Sequence, residues 1–131
     1  MKSILHLRPL LLGTALLLGA CAGTPGAPWA RVSGDYTGAT VNRFPVTITS
    51  VDGRMLTRKS VVVEPGTHTF TMIPDKPSRF RTLVEGKLEL DVEPCRHYVL
   101  AAQFENSTTE RWQPVVDRVL DLPDCQAATG P

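Results

Sequence analysis

Two short turns, Asp52-Gly53 and Pro65-Gly66, constrain this chain most, because each joins segments in which apolar and polar residues alternate. An Asp-Gly pair favours a two-residue β-hairpin, since both positions tolerate positive φ. A Pro-Gly pair favours a type II turn, in which proline sets the first φ and glycine supplies the second. Counting outward from both turns predicts one shared apolar face, made of Val46, Ile48, Met55, Val61, Val63, His68, Phe70 and Met72. Agreement of two turns on one face predicts an antiparallel sheet.

The second turn also predicts a pairing, with Val63 opposite His68 and Val61 opposite Phe70. A later hairpin is predicted from 79–84 and 88–93, joined by a three-residue loop over 85–87. This register places apolar residues inside, namely Phe80, Val84, Leu88, Leu90 and Val92, together with Thr82. It pairs oppositely charged residues outside, Arg81 with Asp91 and Arg79 with Glu93.

The remaining segments complete an all-β prediction. Cys95–Phe104 is apolar on both faces, which is typical of a central strand. The segment 111–120 fits either a helix or an edge strand, and we favour the strand because of Pro114 and the paired valines. The segment 29–40 contains Gly34 and Gly38 and is predicted to be a loop or an irregular edge strand. The predicted fold is a small antiparallel β-sandwich.

The first twenty residues have the features of an export signal. Lys2 and Arg8 make the start positive, and an apolar run over 10–18 follows without an acidic residue. That run is too short to span a membrane as a helix, which takes roughly 20 apolar residues. Residues 1–20 are therefore predicted to be removed, and the export signal indicates an oxidising compartment.

The end of this signal, Leu18-Gly19-Ala20-Cys21, resembles the lipobox of bacterial lipoproteins. The resemblance implies that Cys21 becomes the first residue, with diacylglycerol on its sulfur and a further acyl chain on its amine. Several acyl chains would anchor the protein almost permanently. Ala22 in place of aspartate implies, by the same resemblance, sorting to the outer membrane with the domain facing the periplasm. The alternative is an ordinary signal followed by a coincidental cysteine.

These predictions divide the chain into a signal peptide (1–20), a lipidated N-terminus and tether (21–40), a β-sandwich (41–125) and a disordered tail (126–131).

Removal of Lys2 and Arg8 with the signal leaves 12 basic and 13 acidic residues, a net charge of −1. No basic excess remains for nucleic-acid phosphates. If Cys21 is acylated, Cys95 and Cys125 remain as a pair expected to form a disulfide. Two free thiols are the alternative.

Two further stretches resemble known families. Val63-Glu64-Pro65-Gly66-Thr67-His68 is similar to the turn of PEGA-type modules, which are small β-sandwiches of bacterial envelope proteins, although the namesake Pro-Glu-Gly-Ala string is missing. The stretch from Cys95 to Cys125 resembles small uncharacterised proteobacterial lipoproteins. Both resemblances concern turns and core, so they imply a fold and no activity.

Few residues suggest chemistry. His68 and His97 are the histidines beyond the signal, and Glu89, Asp91 and Glu93 form an acidic stripe. We interpret His68 as a strand-end residue, His97 as a surface residue and the stripe as a solvated face. No catalytic or phosphate-binding motif is present, so we expect no cofactor or metal and no enzymatic activity.

The predicted function is a lipid-anchored binding or structural module of the cell envelope, bound to the membrane through Cys21 and contacting an envelope protein. One alternative is a subunit of a secretion or envelope assembly complex with a transthyretin-like fold. A second alternative, a small metal-dependent enzyme, requires His68, His97 or the acidic stripe to converge in one pocket.

Overall fold

The computed structural model describes residues 28–76 and 84–128, which form two packed sheets and one short helix. The strands of these ranges are β1 (Ala30–Ser33), β2 (Arg43–Phe44), β3 (Val46–Val51), β4 (Arg54–Arg58), β5 (Ser60–Val63), β6 (Gly66–Pro74), β7 (Gly86–Val92), β8 (Arg96–Phe104) and β9 (Trp112–Asp121). Helix α1 spans Pro123–Ala128. The predicted all-β sandwich is confirmed.

The first sheet is arranged around β8. Strand β9 pairs along the whole of β8 on one side, while β1 and β2 share the other side, and β5 pairs with β1. The pairing of β1 with β8 is parallel, whereas the other pairings of this sheet are antiparallel. The second sheet is antiparallel throughout, in the order β4-β3-β6-β7.

The main core fills the space between the two sheets. Its fully buried members include Val32 and Leu100 from the first sheet and Ile48, Phe70 and Met72 from the second. A second, smaller cluster lies on the outer face of the first sheet, where the loop after β1 places Tyr36 against Val99, Ala101 and Val115. This loop therefore covers part of a face that would otherwise meet solvent.

The hairpin predicted at Asp52-Gly53 is confirmed, but its predicted apolar face is wrong at Met55. Both turn residues have positive φ, 50° and 82°, as the predicted turn requires. Ile48 lies opposite Met72 while Ser50 lies opposite Thr71, so β3 contains one extra residue, a β-bulge. The bulge reverses the alternation. Val51 and Leu56 pack on the core, and Met55 is 83% exposed.

The predicted pairing across Pro65-Gly66 is also wrong. Val63 lies opposite Ala30 and Val61 opposite Val32, both in β1, so β5 belongs to the first sheet. Strand β6 instead pairs with β3 and β7 in the second sheet. The chain therefore crosses between sheets at this turn, where Gly66 has a φ of 128°. Val61 and Val63 do face the core, but they face it from the first sheet.

The second half of the predicted tether contributes a strand to the sandwich, and that strand is not an edge. Strand β1 lies between β5 and β8, and Ala30 and Val32 are fully buried. The domain therefore begins about ten residues earlier than the predicted boundary at residue 41. Gly34 ends β1 where a side chain would overlap the carbonyl oxygen of Val46. Glycine here allows close approach, and residues 34–40 form the predicted loop.

The later strands follow the predictions except at residues 84–87, where Val84 is 61% exposed instead of buried, and Gly86 and Lys87 pair with β6 instead of forming a loop. Strand β8 is central, with Tyr98, Leu100, Ala102 and Phe104 on the core side and Val99 and Ala101 against the outer cluster. Residues 112–121 form a strand, as we favoured. Leu88 and Leu90 face the core from β7, and Val92 is buried. The predicted partner strand and its two arginines lie mostly outside the described residues. The tail predicted to be disordered, 126–131, overlaps the last three residues of helix α1 (Pro123–Ala128).

Candidate functional site

The point where the chain joins the sandwich, at Trp29, is held by both cysteines. The carbonyl oxygen of Trp29 accepts a hydrogen bond from the backbone N–H of Cys95 at 2.8 Å. The sulfur of Cys125 lies 3.1 Å from the same oxygen. The ring of Trp29 stacks with the guanidinium of Arg31, whose Cζ lies 5.8 Å from the ring centroid. The first residues of the domain are therefore tied to its last ones.

The sulfurs of Cys95 and Cys125 lie at disulfide-bonding distance, with their Cα atoms 5.2 Å apart and 30 residues between them in sequence. Both residues are buried, at 8% and 0% exposure. The backbone N–H of Leu122 donates to the carbonyl of Cys95 at 3.0 Å, which brings the end of β9 to the same place. The pairing predicted from the cysteine count is thus present.

His68 links the turn between β3 and β4 to the turn between β5 and β6. Its Nδ1 donates to Oδ2 of Asp52 at 2.6 Å, and its Nε2 donates to the carbonyl oxygen of Glu64 at 2.6 Å. Because both partners can only accept, the ring that satisfies both is the protonated imidazolium. The hydrogen bond to Asp52 raises the pKa of His68, and the same bond lowers the pKa of Asp52. Neither nitrogen is left to bind a metal or take a proton.

His97 forms a different contact, with Ser33, a residue that no sequence motif marks. Its Nε2 is hydrogen-bonded to Oγ of Ser33 at 2.8 Å. Burial lowers the pKa of His97, and the nearby Arg31 lowers it further, so the ring is neutral near pH 7. The residues are 64 positions apart and meet because β1 runs parallel to β8. No local sequence signal indicates that pairing.

The Ser33–His97 contact is poorly placed for catalysis. Ser33 is 2% exposed, so its hydroxyl is closed to a substrate in this structure. His97 is half-buried rather than on the open surface that we predicted. The contact satisfies a buried hydroxyl, as buried polar groups require.

The two histidines belong to different sheets and have different partners, so they do not form a common site. Within residues 28–76 and 84–128, no group of three or more His, Cys, Asp or Glu side chains could hold a metal ion.

The three residues of the acidic stripe do not converge on one point. Glu89 and Asp91 are exposed opposite Thr69 and Thr67, while Glu93 lies 3.7 Å from Arg96.

A pocket of about 200 Å³ lies where β8 ends and β9 begins. Its polar atoms are largely used by the fold. The side-chain oxygen of Gln103 accepts from Arg43 at 2.8 Å, and its nitrogen donates to the carbonyl of Val41 at 3.1 Å. The indole N–H of Trp112 donates to the carbonyl of Val84 at 3.1 Å. The pocket offers exposed charges but no buried group directed at a ligand.

Cys21 and the signal lie outside the described residues, so lipidation stays a prediction. In the part of the chain with assigned structure, no helix has the length and apolar character needed to cross a bilayer. No family model, curated protein or solved structure gives a significant match to this chain. The PEGA-like and lipoprotein resemblances therefore rest on the quoted residues alone.

Proposed function

We propose that this chain is a lipoprotein of the bacterial outer membrane whose β-sandwich is a non-catalytic binding or structural module facing the periplasm. Cys21 carries the lipid, and residues 22–28 connect it to the domain. The observation that carries the proposal is the hydrogen bond of Trp29 to Cys95 and its contact with the sulfur of Cys125, eight residues after the lipobox cysteine.

A domain held by its N-terminus is loaded at the residue where the tether joins it. Strand β1 lies in the interior of the first sheet, and its first residue Ala30 is fully buried. The disulfide joins β8 to the end of the chain beside Trp29, so force on the tether acts on a cross-linked part of the fold. A cross-link between cysteines also agrees with an exported protein, since disulfides persist in oxidising compartments.

The chemistry of the described residues supports a non-catalytic role. Both ring nitrogens of His68 are occupied by acceptors, and the hydroxyl beside His97 is buried.

Exposed sheet edges support a binding role. Among the described strands, β4 and β5, like β2, β7 and β9, each have one neighbour, which leaves backbone groups available for another strand. An envelope protein that adds a strand there would make this chain one subunit of an assembly.

Acylation of the full chain tests the anchor. The chain is expressed in a Gram-negative host with an alkyne fatty acid, and its mature mass and label are measured. We expect a chain that begins at Cys21 and carries acyl groups, and we expect Cys21→Ala to be unlabelled. Ala27→Ser changes the tether without changing the lipobox and should label normally. An unlabelled chain that retains Met1 in the cytosol would overturn the proposal.

A photo-crosslinking residue tests the binding role. We place it at Met55, which is exposed on the edge strand β4, and at Thr67 as a matched exposed position on the interior strand β6. A crosslink to one defined envelope component from position 55, and none from position 67, is the expected result. No crosslink from either position in intact cells would contradict the binding role.

A further inference from the structure

The geometry points to a membrane-facing surface on this domain. We infer that one end of the outer face of the first sheet lies on the bilayer surface that holds Cys21. The inference rests on the proposed lipid anchor. The surface consists of Trp29, Arg31, Val62, His97 and Leu120, which we call the outer row.

Four residues of the outer row form a line of directly opposed positions across four strands. Val62 lies opposite Arg31, Arg31 opposite His97, and His97 opposite Leu120. Residues opposite one another in a sheet project from the same face. Ala30 and Val32 on either side of Arg31 are buried in the core, so the row projects away from the core.

The chemistry of the outer row suits a lipid interface. Val62 is 62% exposed and Leu120 is 44% exposed, one at each end of the row. Between them lies Arg31 with the ring of Trp29 stacked on its guanidinium. Tryptophan is enriched at the depth of lipid headgroups, and arginine can place its stem in apolar surroundings while its charge stays in water. Among the described residues no carboxylate pairs with Arg31, which leaves its charge available for a lipid phosphate.

The position of the outer row agrees with the reach of the tether. Pro28 lies seven residues after the sulfur-bearing Cys21, and a fully extended chain of that length spans at most about 25 Å. The row begins at Trp29 and Arg31, the first residues after the tether. Farther along the same face, Tyr36 packs on Val99 and Ala101 and covers it. The uncovered part of the face is thus the part nearest the lipid.

Quenching of tryptophan fluorescence tests the inference on the full acylated chain. The chain is placed in vesicles of phosphatidylethanolamine and phosphatidylglycerol that contain phosphatidylcholine brominated near the headgroup. The chain has two tryptophans, and Trp112 lies opposite Phe104 at the other end of β8. We expect bromine to quench the wild type and shift its emission to the blue. Trp29→Phe, which keeps Trp112, should lose most of that quenching.

Matched variants identify the surface. Val62→Asp together with Leu120→Asp should abolish quenching of Trp29 while the chain stays acylated and still floats with the vesicles. Met55→Asp places the same charge at an exposed position of the other sheet and should leave quenching unchanged. Circular dichroism of each variant confirms that the fold is retained.

Three other outcomes are possible, and each would overturn a stated claim. An acylated, vesicle-bound chain whose Trp29 is not quenched would overturn the inference and leave the proposed anchor intact. Crosslinking of Val62 to a second copy in place of lipid quenching would assign the outer row to a dimer and also overturn it. A chain without acyl groups that does not float with vesicles would overturn the proposed function, and the inference with it.

Discussion

His68 donates a hydrogen bond to Asp52 at 2.6 Å and thereby joins the turn between β3 and β4 to the start of β6. The backbone N–H of Thr69 also donates to Asp52, at 2.8 Å. One carboxylate therefore holds both the ring and the backbone of β6. The pair lies on the surface of the second sheet, where the Asp52 side chain is 50% exposed and that of His68 is 18% exposed.

The pair should make stability depend on pH. The pKa of His68 is raised above 6.5, so its contribution is complete below pH 6.5 and is lost as pH rises through the raised value. The pKa of Asp52 is lowered from 3.8, so its contribution is present above pH 3.8 and is lost as pH falls through the lowered value. We expect His68→Gln to cost most between these limits, about 1 kcal/mol because the pair is partly exposed to solvent. Urea unfolding from pH 3 to 9 measures this cost.

His97→Gln is the matched control. Burial lowers the pKa of His97, so the folded state resists protonation and loses stability as pH falls below 6.5. Removing this histidine therefore removes that acid-side loss, and the cost of His97→Gln should shrink as pH falls. The same pH trend in both variants would contradict the opposite roles assigned to the two rings.

The disulfide should account for a large part of the stability. Opening the 30-residue loop between Cys95 and Cys125 should lower the free energy of unfolding by roughly 3–4 kcal/mol through loop entropy. The double variant Cys95→Ala/Cys125→Ala, unfolded in urea, measures this loss. Reduction of the wild type should give a similar loss and should leave the double variant unchanged. Equal stability with and without reductant would show that the thiols are not joined in solution.

The β-bulge in β3 predicts opposite effects at two adjacent positions. Leu56 packs on the core whereas Met55 is 83% exposed. We expect Leu56→Ala to destabilise the domain by about 2 kcal/mol, since it leaves a gap at the core. Met55→Ala should change stability by less than about 0.5 kcal/mol. Thermal unfolding of both variants checks this, and a larger loss at Met55 would contradict the register.

Gly34 and Gly53 are needed for different reasons. A side chain at position 34 would overlap the carbonyl of Val46, whereas position 53 has open space but a φ of 82°. Gly34→Ala should therefore cost about 3 kcal/mol, because backbone must move to make room. Gly53→Asn should cost less than about 1 kcal/mol, because asparagine tolerates positive φ. Chemical denaturation ranks the two variants, and the reverse order would contradict the packing at Gly34.

Local sequence signals were sufficient for elements that depend on neighbours in the chain. Asp52-Gly53 identified a hairpin because the turn needs only positive φ at two adjacent residues. The double-sided apolar pattern of 95–104 identified a central strand, and the cysteine count identified the pair Cys95 and Cys125. The first two features are set by backbone preference and side-chain burial along a single strand, and the third is set by composition.

The errors share one physical origin, which is that pairing partners are chosen by packing and not by sequence proximity. One extra residue at the bulge reversed the face of Met55, and nothing in the alternating pattern shows an insertion of that kind. Pro65-Gly66 turns the chain equally well within a sheet or between sheets. Its flanking strands separated because β1 offered β5 a buried partner.

The sequence by itself determined the strand content, the hairpin at residue 52 and the cysteine pair, since each follows from short-range preference or from composition. Only the tertiary structure decided that β1 lies parallel to β8 in the sheet interior. That choice brings Ser33 to His97, ties Trp29 to the cysteines and aligns Arg31 with Leu120 through His97. Such contacts join residues about 60 to 100 positions apart, and burial of two apolar faces against each other is what selects them.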